Sequence, residues 1–591
     1  MPMSFSHPAV GVMAIACAWM SALCLPASAS ETPLIVRNAT VFDATGNAPN
    51  VADVLVEDGR FAAIGKNIAP PDCAQVINAQ GLSLLPGLID VHVHWTNADE
   101  MTRSDVATAL LLSGVTTATD FHSSPESFAP KRSWQEGIIS PHVVYTARMG
   151  VPGGHGADWG DENMTRLAVT PDEGRAAIKA LEPYRPDAIK VFADGWRYGN
   201  GAEENSVNIV TLSSIVEAAA AEGLPVVTHT VTVEQGKIAA QAGVSAIVHA
   251  IQDQRVDDEL VALMRDNNII YAPTLAVYEP RPDKMANVTD DILRRRIEER
   301  QTYSRYNLKR LVKSGVKVAV GTDSGIGSTP FGESSLRELE LLVDFGLTPE
   351  QALIAGTTNS AEALKIDEDR GTIEVGKRAD FVLVRGKPWR RISDYRNLEN
   401  VFVDGRVVAK EGALVSEQGA PAPLAIAATR IIDSFERDDG NAASNAMRLS
   451  DVDTGFPRSL MISQRVPRDS SGSALGISAK MALKDSPRAF ITLPLSEGGF
   501  SPVDATAYRG VRFDVRGEGE YEAGLVTASG SAAKNFGAGG AWRTIEIEFD
   551  EFQSVSEGEQ LSLDAVYMVK FGARRDPGHT FWLEIDNVAF F

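Results

Sequence analysis

The feature that most limits the fold is a rhythm that sets in at Leu84: apolar strand, loop, amphipathic helix, repeated. Val226-Val227-Thr228 follows a helix-like stretch at 213–222, and Ala246-Ile247-Val248 follows another at 235–242. Val318-Ala319-Val320 comes after a long charged helix spanning 290–313. Strands separated by helices run parallel, which implies an α/β layer or barrel. Thr348-Pro349-Glu350-Gln351 is a capping box with proline at the first helical position, opening a helix that runs to Ala363.

The flanks read differently. Residues 31–82 form short alternating strands around an Asp58-Gly59 turn, and short strands return after Gly376 around Asp404-Gly405. Residues 411–428, rich in Ala, Pro and Gly, read as a linker. From 429 to 591 the pattern is all-β, as in the strict alternation of Val511-Arg512-Phe513-Asp514-Val515. A chain of 591 residues is too long for one core, so several domains are expected. Its net charge of −22 argues against nucleic acid, which needs clustered Lys and Arg.

Residues 10–25 are almost wholly apolar and precede Ala27-Ser28-Ala29. This reads as a signal peptide over 1–30, cleaved after Ala29, giving a periplasmic or secreted protein with no membrane span. No Lys or Arg occurs before Arg37, so the other reading is a buried N-terminal helix. Cleavage would leave Cys73 as the one cysteine, which excludes an internal disulfide.

Chemistry concentrates at strand ends. His92 and His94 stand two apart in Gly87-Leu88-Ile89-Asp90-Val91-His92-Val93-His94, so their imidazoles share one side of an apolar strand and can converge on an ion. Lys190 lies inside the apolar run Ala188-Ile189-Lys190-Val191-Phe192, where a cation is expensive to bury. It fits there neutral or carboxylated by CO2; the alternative is snorkelling at a strand edge or pairing with Asp194. His229 and His249 end two successive strands, the end that faces the site in a barrel. Asp323, in Gly321-Thr322-Asp323-Ser324, either completes the set or caps a helix.

The ordered set His-x-His, Lys, His, His, Asp resembles the amidohydrolase superfamily, closest to its imidazolonepropionase-like and prolidase-like metal-dependent peptidases. Gly153-Gly154-His155-Gly156, Tyr271-Ala272-Pro273-Thr274-Leu275 and the segment 371–380 add to the match, which covers residues 34–410. The resemblance implies an α/β (β/α)8 TIM barrel over 83–371 and a small β-sandwich built from 31–82 and 372–410. It implies two divalent ions, best suited to zinc: His92, His94 and Asp323 on one, His229 and His249 on the other, carbamylated Lys190 bridging both. A hydroxide shared by the ions would cut an amide-like C–N bond in a dipeptide, N-acyl amino acid or cyclic amide, with Asp323 moving the proton. His155 is the candidate for a substrate-carbonyl contact, or else a loop histidine in solvent. Tyr278 lines the pocket or only packs. The chain departs from its relatives with Val248-His249-Ala250 for Glu-His-Gly and with Val151-Pro152 before the glycine loop.

Residues 429–591 resemble the complex I intermediate-associated protein 30 domain, a relative of carbohydrate-binding jelly rolls. Trp542, Tyr521 and Trp582 would then stack on a sugar or belong to the core. Rival readings are an ester or phosphotriester hydrolase on the same site, and a catalytically weak scaffold presenting a glycan-binding domain. The partner expected in either hydrolase reading is a small molecule, and a homo-oligomer is left open.

Overall fold

The computed structural model describes residues 32–95, 102–156, 164–196, 198–199, 203–286, 288, 290–326, 329–416, 419, 423–453, 458–468, 472–555 and 561–591. The signal segment therefore lies outside the described residues. No described helix is long and apolar enough to cross a membrane.

Seven parallel strands form the wall of a barrel: β1 (Leu88–Val93), β2 (Val115–Asp120), β3 (His142–Gly150), β4 (Ala188–Phe192), β5 (Val226–His229), β6 (Ala246–Val248) and β7 (Ile270–Ala272). Residues 318–324, here β8, close it through isolated parallel bridges, Tyr271 to Val318 on one side and Val93 to Ser324 on the other. Ala319 N donates to Tyr271 O at 2.9 Å, and Asp323 N donates to His92 O at 2.8 Å. The ring is thus joined at both edges, and helices cover its outside as in a TIM barrel. Ile89, Val91, Val227, Ala246, Val248, Ala272 and Ala319 fill the interior. Those side chains are β-branched or small, as eight strands in a closed ring require.

The expected long helix runs Asp291–Lys313, with Asp290 accepting from Ile292 N as its cap. The Thr348 capping box is formed, and the helix it starts widens into a π turn at Ala355–Asn359 before reaching Ala363.

The strands before and after the barrel join in one nine-stranded sheet, where Phe381 pairs with Pro86. It curls over its own core, bringing Phe61 within 5.8 Å of Phe381. The stretch read as a linker pairs at both ends: Ala413–Leu414 extends this sheet, and Ile426–Ala427 runs beside Val503–Asp504 of the C-terminal domain.

Residues from 431 onward build two largely antiparallel sheets with a shared core, in which Phe513 of one packs 4.7 Å from Phe571 of the other. Two of the aromatics offered for sugar stacking are engaged elsewhere. Tyr521 is buried, its hydroxyl donating to Trp582 O at 2.5 Å. Trp542 carries the Arg468 guanidinium 4.3 Å from its ring centre. This domain also docks on the barrel. Phe500 is buried beside Trp134, at 5.8 Å, and under the Arg103 guanidinium, at 4.6 Å. Gly498 (φ +60°) lies so close to Ser127 that a Cβ would meet its backbone at 2.3 Å, so only glycine permits the contact.

Candidate metal centre

Every residue read as a metal ligand sits on a barrel strand or at its C-terminal end, and all are buried. The β1 register puts both histidines inward, their Nε2 atoms 3.2 Å apart. Asp323 Oδ1 lies 3.1 Å from His92 Nε2 and 2.9 Å from His94 Nε2. The imidazoles form a row: His92 to His249 at 4.7 Å between ring centres, His249 to His229 at 4.2 Å, His229 to His155 at 4.3 Å. His92, His249 and Asp323 each offer a donor atom within 4.8 Å of the other two. His249 therefore touches both halves of the set, not the His229 side alone. His155 joins the row rather than standing in solvent, with Nδ1 4.0 Å from Glu204 Oε2.

The electrostatics are those of a site built for cations. Burial pushes His92 down to about 3. Burial likewise holds His229 and His249 well below the usual imidazole range, so they present lone pairs. Burial alone would raise Asp323, but His92 and His94 outweigh it and keep the carboxyl ionised. Lys190 is fully buried, and its Nζ has no hydrogen-bond partner, lying 4.6 Å over the Phe121 ring. Burial drives its pKa well below the ordinary lysine value. Asp194, the partner offered in the sequence reading, is spent elsewhere: it accepts from Val231 N, Thr232 N and Trp196 N, latching the loop after β4 to the loop after β5.

Several residues that shape the site carry no local signature. His249 Nδ1 meets Thr274 Oγ1 at 3.0 Å, which turns its Nε2 toward the cavity. Asp90 accepts from Thr322 Oγ1, Ser335 Oγ and His92 N, tying β8 to β1. The His122 ring is tilted against that of His94, 5.4 Å between centres, and its Nδ1 lies 3.3 Å from Nη1 of Arg148, which is fully buried. Asp323 and His249 themselves have φ of +59° and +80°. Non-glycine residues adopt that region at a cost, and functional sites are where such strain collects.

Residues 83–408 match the amidohydrolase family model. The chain belongs to the amidohydrolase family. This amidohydrolase is 25% identical to the imidazolonepropionase of Geobacillus sp. over 65% of its own length and 99% of the relative's. A structure from Bifidobacterium longum assigned as a prolidase aligns at TM-score 0.56 and 27% identity, covering 65% of this chain and 96% of the other. A Xaa-Pro dipeptidase with methionine in its active site aligns at 0.56 and 22%, covering 64% and 99%, which speaks for the fold alone. The family assignment makes this amidohydrolase a hydrolase of C–N bonds, and His92, His249 and Asp323 are a candidate metal-ligand group.

Proposed function

We propose that the chain is a binuclear metal-dependent hydrolase of amide-like bonds in dipeptides, N-acyl amino acids or cyclic amides. The observation that carries this reading is the unpartnered Lys190 amine, buried within the same barrel mouth as four imidazoles and Asp323. Burial favours the neutral form of an amine so placed, and a neutral amine adds CO2 through its lone pair and releases one N–H proton to water, giving an anionic carbamate that would serve two ions. The donors fit divalent metal: neutral imidazoles, a carboxylate and a carbamate on Lys190, a set that suits zinc. His92, His94 and Asp323 would hold one ion and His229 with His249 the other.

When bound, a metal pair supplies Lewis acidity and lowers the pKa of water toward neutrality. The protein does the rest. Asp323 Oδ1, ionised and next to both β1 histidines, takes the proton released by the attacking water and returns it to the leaving nitrogen. His155, at the end of the row, reaches the substrate carbonyl and steadies its developing charge. We further propose export, on the strength of the apolar stretch at 10–25 before Ala27-Ser28-Ala29; N-terminal sequencing of secreted material tests it.

The decisive experiment is elemental analysis of purified protein beside Lys190→Ala, with hydrolysis of a dipeptide panel. Wild type should hold about two divalent ions per chain and the variant clearly fewer, activity falling in step. A wild type that takes up no zinc with bicarbonate present would end the reading.

A further inference from the structure

Arg300 stands out among the arginines of the long helix and its surroundings. Arg310 pairs with Asp258, Arg337 with Glu279, and Arg305 donates to Asp344 O. Arg300 is half-buried, yet no carboxylate pairs with it among the described residues; its guanidinium lies 5.3 Å from the centre of the Tyr198 ring. A cation withdrawn from water without an anion is costly unless something arrives to match it.

What lies beyond Arg300 is the metal centre. Tyr198 and Tyr278 share a hydrogen bond, Oη to Oη at 3.0 Å, and the Tyr278 ring meets the His249 ring edge-on at 6.0 Å. Both phenols feel the charge of Asp323. The same helix clamps both tyrosine-bearing segments: Gln301 Nε2 donates to Tyr278 O at 2.8 Å, and Arg296 donates to Gly199 O. A pair of phenols uses one proton between them, so one O–H stays available as a donor. Guanidinium plus phenol is a carboxylate receptor, and an anion approaching a chain of net charge −22 needs a local cation to draw it in.

We infer that Arg300, with the hydroxyls of Tyr198 and Tyr278, receives a carboxylate of the substrate, so the site selects amides whose acid group lies close to the scissile bond. This rests on the hydrolase reading above and narrows it to N-acyl amino acids and dipeptides with a free C-terminus. Cyclic amides lacking an acid group are excluded.

The test uses full-length, zinc-loaded protein and its Arg300→Met and Arg300→Lys variants, each first checked for unchanged metal content and melting temperature. Hydrolysis is compared for N-acetyl-L-amino acids and their carboxamides. Binding is compared for N-benzyl-L-amino acids and their carboxamides, which lack the N-acyl bond that would be cut. Wild type should favour the acid over the carboxamide by about 10–100-fold in both measurements. Arg300→Met should erase that preference, chiefly through KM, while leaving carboxamides unchanged; Arg300→Lys should keep part of it. Equal handling of acid and carboxamide by wild type, or an equal loss on both in Arg300→Met, overturns the inference. If no amide is cut but N-benzyl acids still bind with an Arg300-dependent preference, the hydrolase reading falls and the receptor stands.

Discussion

The two ends of the barrel hold similar residues and do opposite things. At the mouth, His92, His249 and Asp323 bring donor atoms within 4.8 Å of one another; at the base, His142, Asp380 and Asp404 do the same. The base is already balanced. Arg378 Nη1 reaches Asp404 at 2.7 Å, Arg370 Nη1 lies 3.6 Å from Asp380, and Asp404 N donates to Asp380 Oδ1. At the mouth Asp323 sits among His92, His229 and His249, which burial holds below the usual imidazole range, and near an amine whose pKa burial lowers. A histidine–aspartate cluster thus becomes a staple where guanidinium groups pair with its carboxylates; among the described residues none pairs with Asp323, which leaves the mouth a candidate cation site. The staple has a location that fits its work. His142 opens β3 while Asp380 and Asp404 belong to the curled sheet, so the pairing fastens that sheet beneath the barrel.

The largest effect that separates the two clusters is expected at the mouth. Asp323→Asn should cut hydrolysis by about 10³-fold, since a proton carrier is lost, while urea unfolding moves little. A variant that keeps near-normal turnover would place the proton transfer elsewhere. At the base the pattern should invert: Asp380→Ala should cost about 3 kcal/mol in urea unfolding, because it strands buried cationic partners, with metal content unchanged. Loss of metal from that variant would mean the ends are not independent.

The smallest effect is a pH dependence. Burial pushes His142 down, but Asp380 and Asp404, whose carboxylate oxygens lie 3.4 and 3.5 Å from its Nε2, prevail and raise it above the ordinary value. A raised folded value means stability that is complete below about pH 6.5 and is lost as pH climbs through the folded pKa. Melting temperature should therefore fall over that rise more steeply in wild type than in His142→Gln. Parallel curves would show that the histidine is not protonated in the staple.

Much of the mouth was legible because its chemistry contradicts its setting. Two histidines on an apolar strand, a lysine in another, and histidines ending the next two are costly without a purpose, and each is buried in the structure. What stayed hidden depends on partners far along the chain. Asp194 was weighed only as a mate for nearby Lys190, yet it binds backbone 37 and 38 residues on. Tyr198 gains meaning only from Tyr278, 80 residues away, and His122 only from Arg148 and His94. Thr274 and Glu338 are invisible for the same reason: the latter caps the short helix Leu275–Tyr278 from a distance, accepting from Leu275 N and Ala276 N. The barrel itself was readable from its rhythm, although β8 joins through bridges rather than a full ladder. The C-terminal aromatics show the limit of reading strands one at a time. Tyr521 sits on a strand that looks like any other, and only the facing sheet decides that it belongs to the core.

Phe500 has a consequence for the order in which the molecule is made. The barrel's last strand is complete by residue 324, and Phe500 emerges from the ribosome well over a hundred residues later. Until then the slot beside Trp134 and Arg103, lined also by Trp95, Asp120, Lys131, Gln135 and Tyr145, lacks the ring that fills it. Domains form as units from the N-terminus during synthesis. The barrel is therefore made first, and its contact with the C-terminal domain at Phe500 closes last.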